Sequence, residues 1–179
     1  ERLLTALAGE EADGRGREWQ ARQCLSAGQL EKGLKFVRLA ALLQYTLPGF
    51  PCLYYGDEIG MQGYSDPFNR APYHWGGGSA ALKAFYQKLG RLRKACPAFA
   101  GGEFTPVYAG TGHIAYLRAK GEERILVAVN RWCDPEPVDL PAGWEDAAVL
   151  CGNAPEQGRL WVPAEGFSLL GKGPWVQKI

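Results

Sequence analysis

Two adjacent carboxylates, Asp57 and Glu58, follow an apolar run that ends at Gly56. A pair of carboxyl groups could hydrolyse a glycosidic bond, which needs an acid and a nucleophile or base about 5–10 Å apart. Adjacent side chains of an extended segment point in opposite directions, so these two cannot easily flank one bond. We therefore reject them as a catalytic pair. We favour hydrogen-bonded or ion-paired carboxylates at the end of a strand.

A second candidate pair is Asp66 and Arg70, which lie four residues apart around a turn that contains Pro67. Carboxylate and guanidinium groups are planar and make several hydrogen bonds each, which suits the vicinal hydroxyls of a sugar. The alternative is a local surface ion pair that contributes little to stability. The residue types alone leave both interpretations open.

The spacing of the cysteines and histidines does not match the pattern of a metal site. Five widely spaced cysteines without a CxxC pair argue against a disulfide framework or a zinc site. Cys52 lies within an apolar run and Cys151 follows another, so we expect buried thiols and a reducing compartment. His74 and His113 are far apart and belong to neither an HxxxH nor an HExxH pattern.

Helical periodicity predicts two helices on either side of these candidates. Gln29–Leu47 carries two adjacent apolar stripes, which form a wide face for packing against a larger body, and Pro48-Gly49 ends it. Ser79–Ala95 has apolar residues at helical spacing, with Ser79 as its N-cap, and Pro97 blocks its extension. Residues 10–28 are predicted to be loop with some helix.

The segment between the helices predicts a strand and a functional loop. Cys52–Tyr55 is apolar without alternation, which is typical of a strand covered on both faces. The loop Ile59–Gly78 is rich in aromatic residues, which argues against disorder, and loops of this length are usually functional. The order helix, strand, loop, helix is the repeating unit of an α/β protein. In a (β/α)₈ barrel the active site lies at such strand ends.

After Pro97 the pattern changes to short strands separated by turn signals, which predicts an antiparallel β-sandwich. The boundary is placed near Ala98–Gly102, giving an α/β domain over 1–98 and an all-β domain over 99–179. The predicted strands are Phe104–Tyr108, His113–Arg118, Arg124–Asn130, Ala147–Leu150, Arg159–Val162 and Phe167–Leu170.

The composition of the chain restricts the classes of molecule that it is expected to bind. A formal net charge of +1 favours neither nucleic acid nor a membrane surface, and no apolar run is long enough to span a bilayer. Six Trp and eight Tyr slightly favour a carbohydrate site. The first residues contain neither an initiator Met nor the start of a signal peptide, so we expect a piece of a longer, cytoplasmic protein.

The stretch LPGFPCLYYGDEIGMQGYSDPFNRAPYHW, residues 47–75, closely resembles the segment around the eighth barrel strand of the alpha-amylase superfamily. It is most similar to the neopullulanase, cyclomaltodextrinase and maltogenic amylase branch. The start, Glu1–Thr5, resembles the stretch that follows the His-Asp motif of the seventh strand. The C-terminal strands resemble the small sandwich after the barrel. The resemblance implies the last βα portion of a (β/α)₈ barrel followed by a β-sandwich.

The resemblance also implies which residues act. The catalytic carboxylates of the family lie on strands before Glu1, so none is expected in this chain. Asp66 and Arg70 match positions that contact donor-side glucose units, although Ala71 stands where many relatives carry a second Arg. Additional residues predicted to line the site are Tyr55, Asp57, Glu58 and Trp75. Some relatives bind calcium, but no calcium loop is present here, so no cofactor is expected.

Three hypotheses follow. The first is a C-terminal piece of a retaining alpha-glucan hydrolase that is inactive alone. The second is a non-catalytic carbohydrate-binding or structural module. Its candidate sugar platform, for which burial is the favoured alternative, comprises Trp132, Trp144, Trp161 and Trp175. The third is a module that completes a barrel supplied by another chain, because an exposed eighth strand needs a partner. We expect an alpha-glucan oligosaccharide as ligand, and self-association or pairing with the missing barrel.

Overall fold

The computed structural model describes residues 1–178, which divide into two units. The first unit comprises Glu1–Ala41 and Pro51–Lys88, and the second comprises Leu42–Phe50 and the chain from Leu89 onward. This division differs from the predicted boundary near Ala98–Gly102. The difference arises because the ends of two long helices belong with the β-rich unit.

Side chains cap the N-termini of the two long helices among the four that the structure describes. The four helices are α1 (Leu3–Ala8), α2 (Arg17–Arg22), α3 (Ala27–Thr46) and α4 (Ala80–Ala95). Before α3, Ser26 Oγ accepts a hydrogen bond from Gln29 N, and Gln29 Oε1 accepts one from Ser26 N, which is a capping box. Ser79 Oγ accepts from Leu82 N at 3.1 Å, which confirms the predicted cap of α4. Among residues 1–178, no helix is both long and apolar enough to cross a membrane.

The strand predicted over Cys52–Tyr55 is wrong. These residues form no strand, and their side chains are exposed rather than covered on both faces. Cys52 is therefore not the buried thiol that the apolar run predicts. A parallel strand forms only beside neighbouring strands, and the described residues place none next to this segment. The apolar sequence of this segment is typical of a buried strand, but the described residues leave it exposed.

The long loop that follows is ordered by hydrogen bonds to the start of the chain. Arg2 N donates to Gly63 O at 2.8 Å, and Gly63 N donates to Thr5 Oγ1 at 2.9 Å. The Tyr64 hydroxyl donates to Glu10 O at 3.1 Å, and its ring is buried. These contacts fix the loop backbone around Gly63 and Tyr64 against residues 2–10. Other polar side chains of the loop remain exposed to solvent.

In the second unit, the six predicted strands are confirmed within a few residues at each end. The strands are β1 (Glu103–Ala109), β2 (His113–Lys120), β3 (Glu123–Asn130), β4 (Glu136–Asp139), β5 (Ala148–Cys151), β6 (Arg159–Val162) and β7 (Gly166–Lys172). Short β4 was missed because its Glu-Pro-Val-Asp sequence lacks β propensity. An antiparallel sheet has the order β1-β2-β3-β7-β5, and β4 pairs with β6 in a second sheet.

The two sheets share one hydrophobic core, as the predicted sandwich requires. The larger sheet contributes side chains such as Leu126 and Leu170, and the smaller sheet contributes Val138, Leu160 and Val162. All five are almost completely buried. Strand β3 carries the run Ile125–Val129, which is buried on both faces.

Polar groups attach the end of α3 to strand β2. Buried Arg118 donates to the backbone carbonyls of Thr46, Ala98 and Gly102 at 2.9–3.1 Å. The Thr46 hydroxyl donates to Leu42 O at 2.6 Å, and its oxygen lies 2.6 Å from the Tyr116 hydroxyl. A threonine hydroxyl has only one proton, so Tyr116 is the donor to Thr46.

Because this hydroxyl is buried, the stability of the β-rich unit is expected to decrease at alkaline pH. Burial raises the pKa of Tyr116 from 10.0 to about 12. Because the folded state favours the neutral phenol, its contribution is complete below pH 10 and is lost as the pH rises toward 12. We expect the free energy of unfolding of the wild type to fall by about 2 kcal/mol relative to Tyr116→Phe between those pH values.

Denaturant unfolding of both proteins at a series of pH values measures this difference. Burial also raises the pKa of Cys96 from 9.0 to about 11, but this thiol is present in both proteins, so its contribution cancels. Parallel pH profiles for the wild type and Tyr116→Phe would contradict the prediction.

Candidate functional site

The Asp66–Arg70 pair is held at the surface of the first unit by a short helical turn. Phe68–Arg70 forms a 3-10 turn, and Arg70 N donates to Pro67 O at 3.0 Å. Arg70 Nε donates to Asp66 Oδ1 at 2.9 Å, and the two side chains are 67% and 58% exposed. An ion pair this exposed contributes less than about 1 kcal/mol. Both groups can therefore turn to a ligand at little cost to stability.

Trp75 lies farther along the same loop, with an almost fully exposed indole. The Tyr73 ring packs edge-on against it, with 4.8 Å between the ring centroids. The Tyr73 hydroxyl donates to the Glu58 carboxylate, and this hydrogen bond is the main reason that the pKa of Tyr73 is raised. Glu58 Oε2 also accepts from Gly56 N at 2.8 Å. Glu58 therefore orients the aromatic loop and is engaged in two hydrogen bonds.

Tyr55 connects the segment before the loop to the candidate pair. Its hydroxyl donates to the carbonyl of Ala71 at 3.0 Å, directly after Arg70. Its ring is 40% exposed and packs against Tyr54 with 4.8 Å between centroids. Tyr55 thus fixes the backbone on the far side of the Asp66–Arg70 turn.

Arg2 is the buried centre of this arrangement. Its guanidinium carbon lies 4.5 Å from the ring centroid of Tyr54 and 4.4 Å from that of Tyr55. Its Nη1 donates to the carbonyl of Tyr55 and lies 3.7 Å from Asp57 Oδ1. Cation–π contact of a desolvated guanidinium is worth about 2 kcal/mol. Arg2 therefore holds both tyrosines and the chain that leads into the loop.

Asp57 lies beside the charge of Arg2 and is not a solvent-accessible acid. Its side chain is only 12% exposed. Burial raises the pKa of Asp57, whereas the Arg2 charge acts in the opposite direction and Glu58 adds to the rise. Desolvation thus outweighs the attraction of Arg2, whose guanidinium is not within hydrogen-bond distance of Oδ1.

A cavity of about 750 Å³ in the first unit is lined by the same loop, including Pro67, Phe68 and Ala71 beside the candidate pair. Apolar side chains dominate its wall, with a few polar groups between them. The lining includes Gln20, Cys24, Leu34, Met61, Phe68 and His74. Tyr55, Asp57, Glu58, Asp66, Arg70 and Trp75, the predicted site residues, are absent from its wall. The structure therefore gathers Tyr55, Asp57 and Glu58 around Arg2 and Tyr73, and places Asp66, Arg70 and Trp75 at the loop surface.

Neither histidine belongs to a metal site in the described part of the chain. Within residues 1–178, no group of three or more His, Cys, Asp or Glu side chains could hold a metal ion. His113 is buried and its ring stacks on Tyr108 in the second unit. His74 lies on the wall of the cavity in the first unit.

The four tryptophans of the proposed sugar platform separate into two groups. Trp144 and Trp175 are buried in the second unit, as packing residues. Trp132 and Trp161 are each 43% exposed. A platform of all four is therefore excluded, and two aromatic surfaces remain.

Arg2 is the residue that sequence reasoning missed. Its position before the apolar Leu3-Leu4 pair is the only local signal, since a cation beside a buried helix must find partners there. Nothing in the sequence pattern identifies those partners as Tyr54 and Tyr55. Their distance along the chain, more than fifty residues, makes the contact a product of tertiary structure.

No protein-family model matches the chain, but comparison with known proteins gives relatives that include cyclomaltodextrinases. A cyclomaltodextrinase of a Bacillus species is 42% identical over 98 residues, which are 52% of this chain and 18% of that protein. A cyclomaltodextrinase of Geobacillus thermopakistaniensis is 31% identical over 150 residues, 73% of this chain and 26% of that protein. The chain thus spans about a quarter or less of these two relatives.

Solved structures give the same result. The type III pullulan hydrolase from Thermococcus kodakarensis is 30% identical with a TM-score of 0.67, and the match covers 82% of this chain and 24% of that one. A debranching enzyme from Nostoc punctiforme is 28% identical with a TM-score of 0.67, covering 81% and 32%. The predicted resemblance is confirmed: the chain is homologous to part of the alpha-amylase family of glycoside hydrolases.

Proposed function

We propose that this chain is the C-terminal part of a retaining glycoside hydrolase that acts on α-1,4- or α-1,6-linked glucans. In this proposal residues 1–98 supply the last βα portion of a (β/α)₈ barrel and residues 99–179 its β-sandwich. The supporting observation is the exposed Asp66–Arg70 pair on an anchored loop, in a chain homologous to glycoside hydrolases. Asp66 and Arg70 would hydrogen bond vicinal hydroxyls of a glucose unit.

The chemical step would belong to carboxylates outside this chain. A retaining enzyme needs a nucleophile and an acid/base about 5–5.5 Å apart around the bond to be broken. Here Asp57 is buried beside Arg2, and Glu58 is engaged by Gly56 and Tyr73. Neither is available for proton transfer to a sugar. The chain would therefore bind and orient substrate without cleaving it.

The segment 51–55 would be the surface that joins the rest of the barrel. Leu53, Tyr54 and Tyr55 are each at least 40% exposed, although the segment has the apolar sequence of a buried strand. Pairing with neighbouring strands would cover these side chains and satisfy the backbone. We infer that the isolated chain self-associates through this segment when the remaining strands are absent.

A second candidate function is that of a non-catalytic carbohydrate-binding module. The observation in its favour is the half-exposed state of Trp161 in a unit with its own hydrophobic core. This candidate differs from the first in requiring no other part of a barrel.

The first prediction of this proposal concerns catalysis by the chain alone. We expect no release of reducing sugar from cyclodextrin, pullulan or maltotriose by the 179-residue chain, because no carboxylate pair is available. A cyclomaltodextrinase assayed beside it serves as the positive control. Turnover that is retained through purification and lost in Glu58→Gln would contradict this account.

The second prediction concerns binding in the longer enzyme. Asp66→Asn and Arg70→Met each remove a charge-assisted hydrogen bond, worth about 1.5–3 kcal/mol when it is made to a ligand. We expect KM for maltotriose to rise by about tenfold or more, with a smaller effect on kcat. Steady-state kinetics measures both constants.

The matched control is Asp146→Asn, which breaks the ion pair between the exposed Asp146 and the partly buried Lys172 in the second unit. That variant should leave both constants within about twofold of the wild type, since exposed ion pairs contribute little. A KM that changes equally in the control, or does not change in Asp66→Asn, would remove Asp66 from the substrate site.

A further inference from the structure

The outer surface of the two-stranded β4–β6 sheet gathers four side chains of matching chemistry. Pro137 lies directly opposite Trp161, and Asp139 lies directly opposite Arg159. Their strand neighbours Val138, Leu160 and Val162 are buried, so by alternation Pro137, Asp139, Arg159 and Trp161 share the other face. This face, which we call the Trp161 face, is open to solvent.

The indole of Trp161 is supported on one side and open on the other. Directly opposed residues of an antiparallel pair have Cβ atoms about 5 Å apart, so the Pro137 ring lies beside the indole. The carbonyl of Trp161 accepts from Asn153 Nδ2 at 2.8 Å, which fixes the strand at this point. The side chain remains 43% exposed. A flat apolar surface is thus presented in a defined position before any ligand arrives.

Arg159 and Asp139 form an ion pair on the same face as the indole. We call this pair the fork, because its remaining N–H groups and carboxylate oxygen can hydrogen bond a ligand. Arg159 Nε donates to Asp139 Oδ1 at 2.8 Å, and the side chains are 50% and 80% exposed. This bond uses one of the five guanidinium N–H groups and one of the two carboxylate oxygens. Arg159 is two residues from Trp161 on the same strand, or about 7 Å. A ring stacked on the indole would reach the fork with its own hydroxyls.

The charge of the Trp161 face selects the class of ligand. One guanidinium and one carboxylate balance each other, so the face attracts neither anions nor cations as such. The neighbouring donors and acceptors suit a neutral molecule with adjacent hydroxyls, and the indole suits an apolar ring face. A sugar has both properties.

We propose that the Trp161 face is a second glucan-binding site of this protein, in which a glucose unit stacks on Trp161 and hydrogen bonds Arg159 and Asp139. The proposal rests on the proposed function, because the substrate class is taken from it. The site would hold a polymeric substrate at the β-rich unit independently of the Asp66–Arg70 pair.

Trp132 provides a matched control in the same unit. It has the same exposed fraction as Trp161. However, its indole N–H is used by Thr111 O at 2.6 Å, and Gly112 lies against its ring. The Arg–Asp ion pairs found among the described residues, Arg2–Asp57, Arg70–Asp66 and Arg159–Asp139, include no residue adjacent to Trp132 in the sequence.

The test is titration of the 179-residue chain with maltohexaose by isothermal calorimetry, and affinity electrophoresis in gels that contain amylopectin. We expect Trp161→Ala to weaken binding at least tenfold and Arg159→Met about fivefold, whereas Trp132→Ala should change it less than twofold. Trp161→Tyr should restore most of the affinity, because it keeps a flat ring. Near-UV circular dichroism checks that each variant is folded.

Each outcome discriminates between alternatives. Binding that survives Trp161→Ala but is lost in Asp66→Asn would overturn the second site and leave the proposed function intact. A folded chain that binds no glucan in either assay would overturn the second site, whereas the proposed function would then be judged on the kinetics of the longer enzyme. A change of oligomeric state without a change of glucan affinity in Trp161→Ala would overturn the proposal in favour of a protein interface.

Discussion

The burial of the Arg2 guanidinium between Tyr54 and Tyr55 is the interaction on which the candidate site depends. A buried cation is stable only when its surroundings supply compensating groups, and here two aromatic faces, the Tyr55 carbonyl and Asp57 do so. The backbone N–H of the same residue binds Gly63 O. Arg2 therefore contacts both the segment before the loop, at Tyr54 and Tyr55, and the loop itself, at Gly63.

The polar groups of the resulting loop divide into those engaged by other residues of the first unit and an exposed pair proposed to bind substrate. Asp57 lies beside Arg2, and Glu58 accepts hydrogen bonds from Gly56 and Tyr73. Both belong to the 3-10 turn Asp57–Ile59, and not to the extended segment that the sequence predicts. Asp66 and Arg70 remain exposed and form an ion pair with each other. A loop built in this way can present recognition groups in a fixed position while the chemistry, in the proposed enzyme, is done by residues elsewhere.

Much of the architecture could be predicted from local patterns. Periodicity, Ser79 and Pro97 located the two long helices, and regular turn signals located most strands, because these features are determined by nearby residues. The short helix Leu3–Ala8 was not predicted. The strand over Cys52–Tyr55 failed because a strand exists only with a neighbour. The partners of Arg2 and the different exposures of Trp144 and Trp161 depend on tertiary packing, which single-sequence reasoning does not contain.

We propose that this chain positions substrate for a nucleophile that lies outside residues 1–179. The most direct measurement uses a fluorinated glycosyl fluoride that traps the covalent glycosyl-enzyme, followed by peptide mass spectrometry of the longer protein. The account predicts that the label lies on a carboxylate outside residues 1–179. A label on Asp57, Glu58 or Asp66 would contradict it.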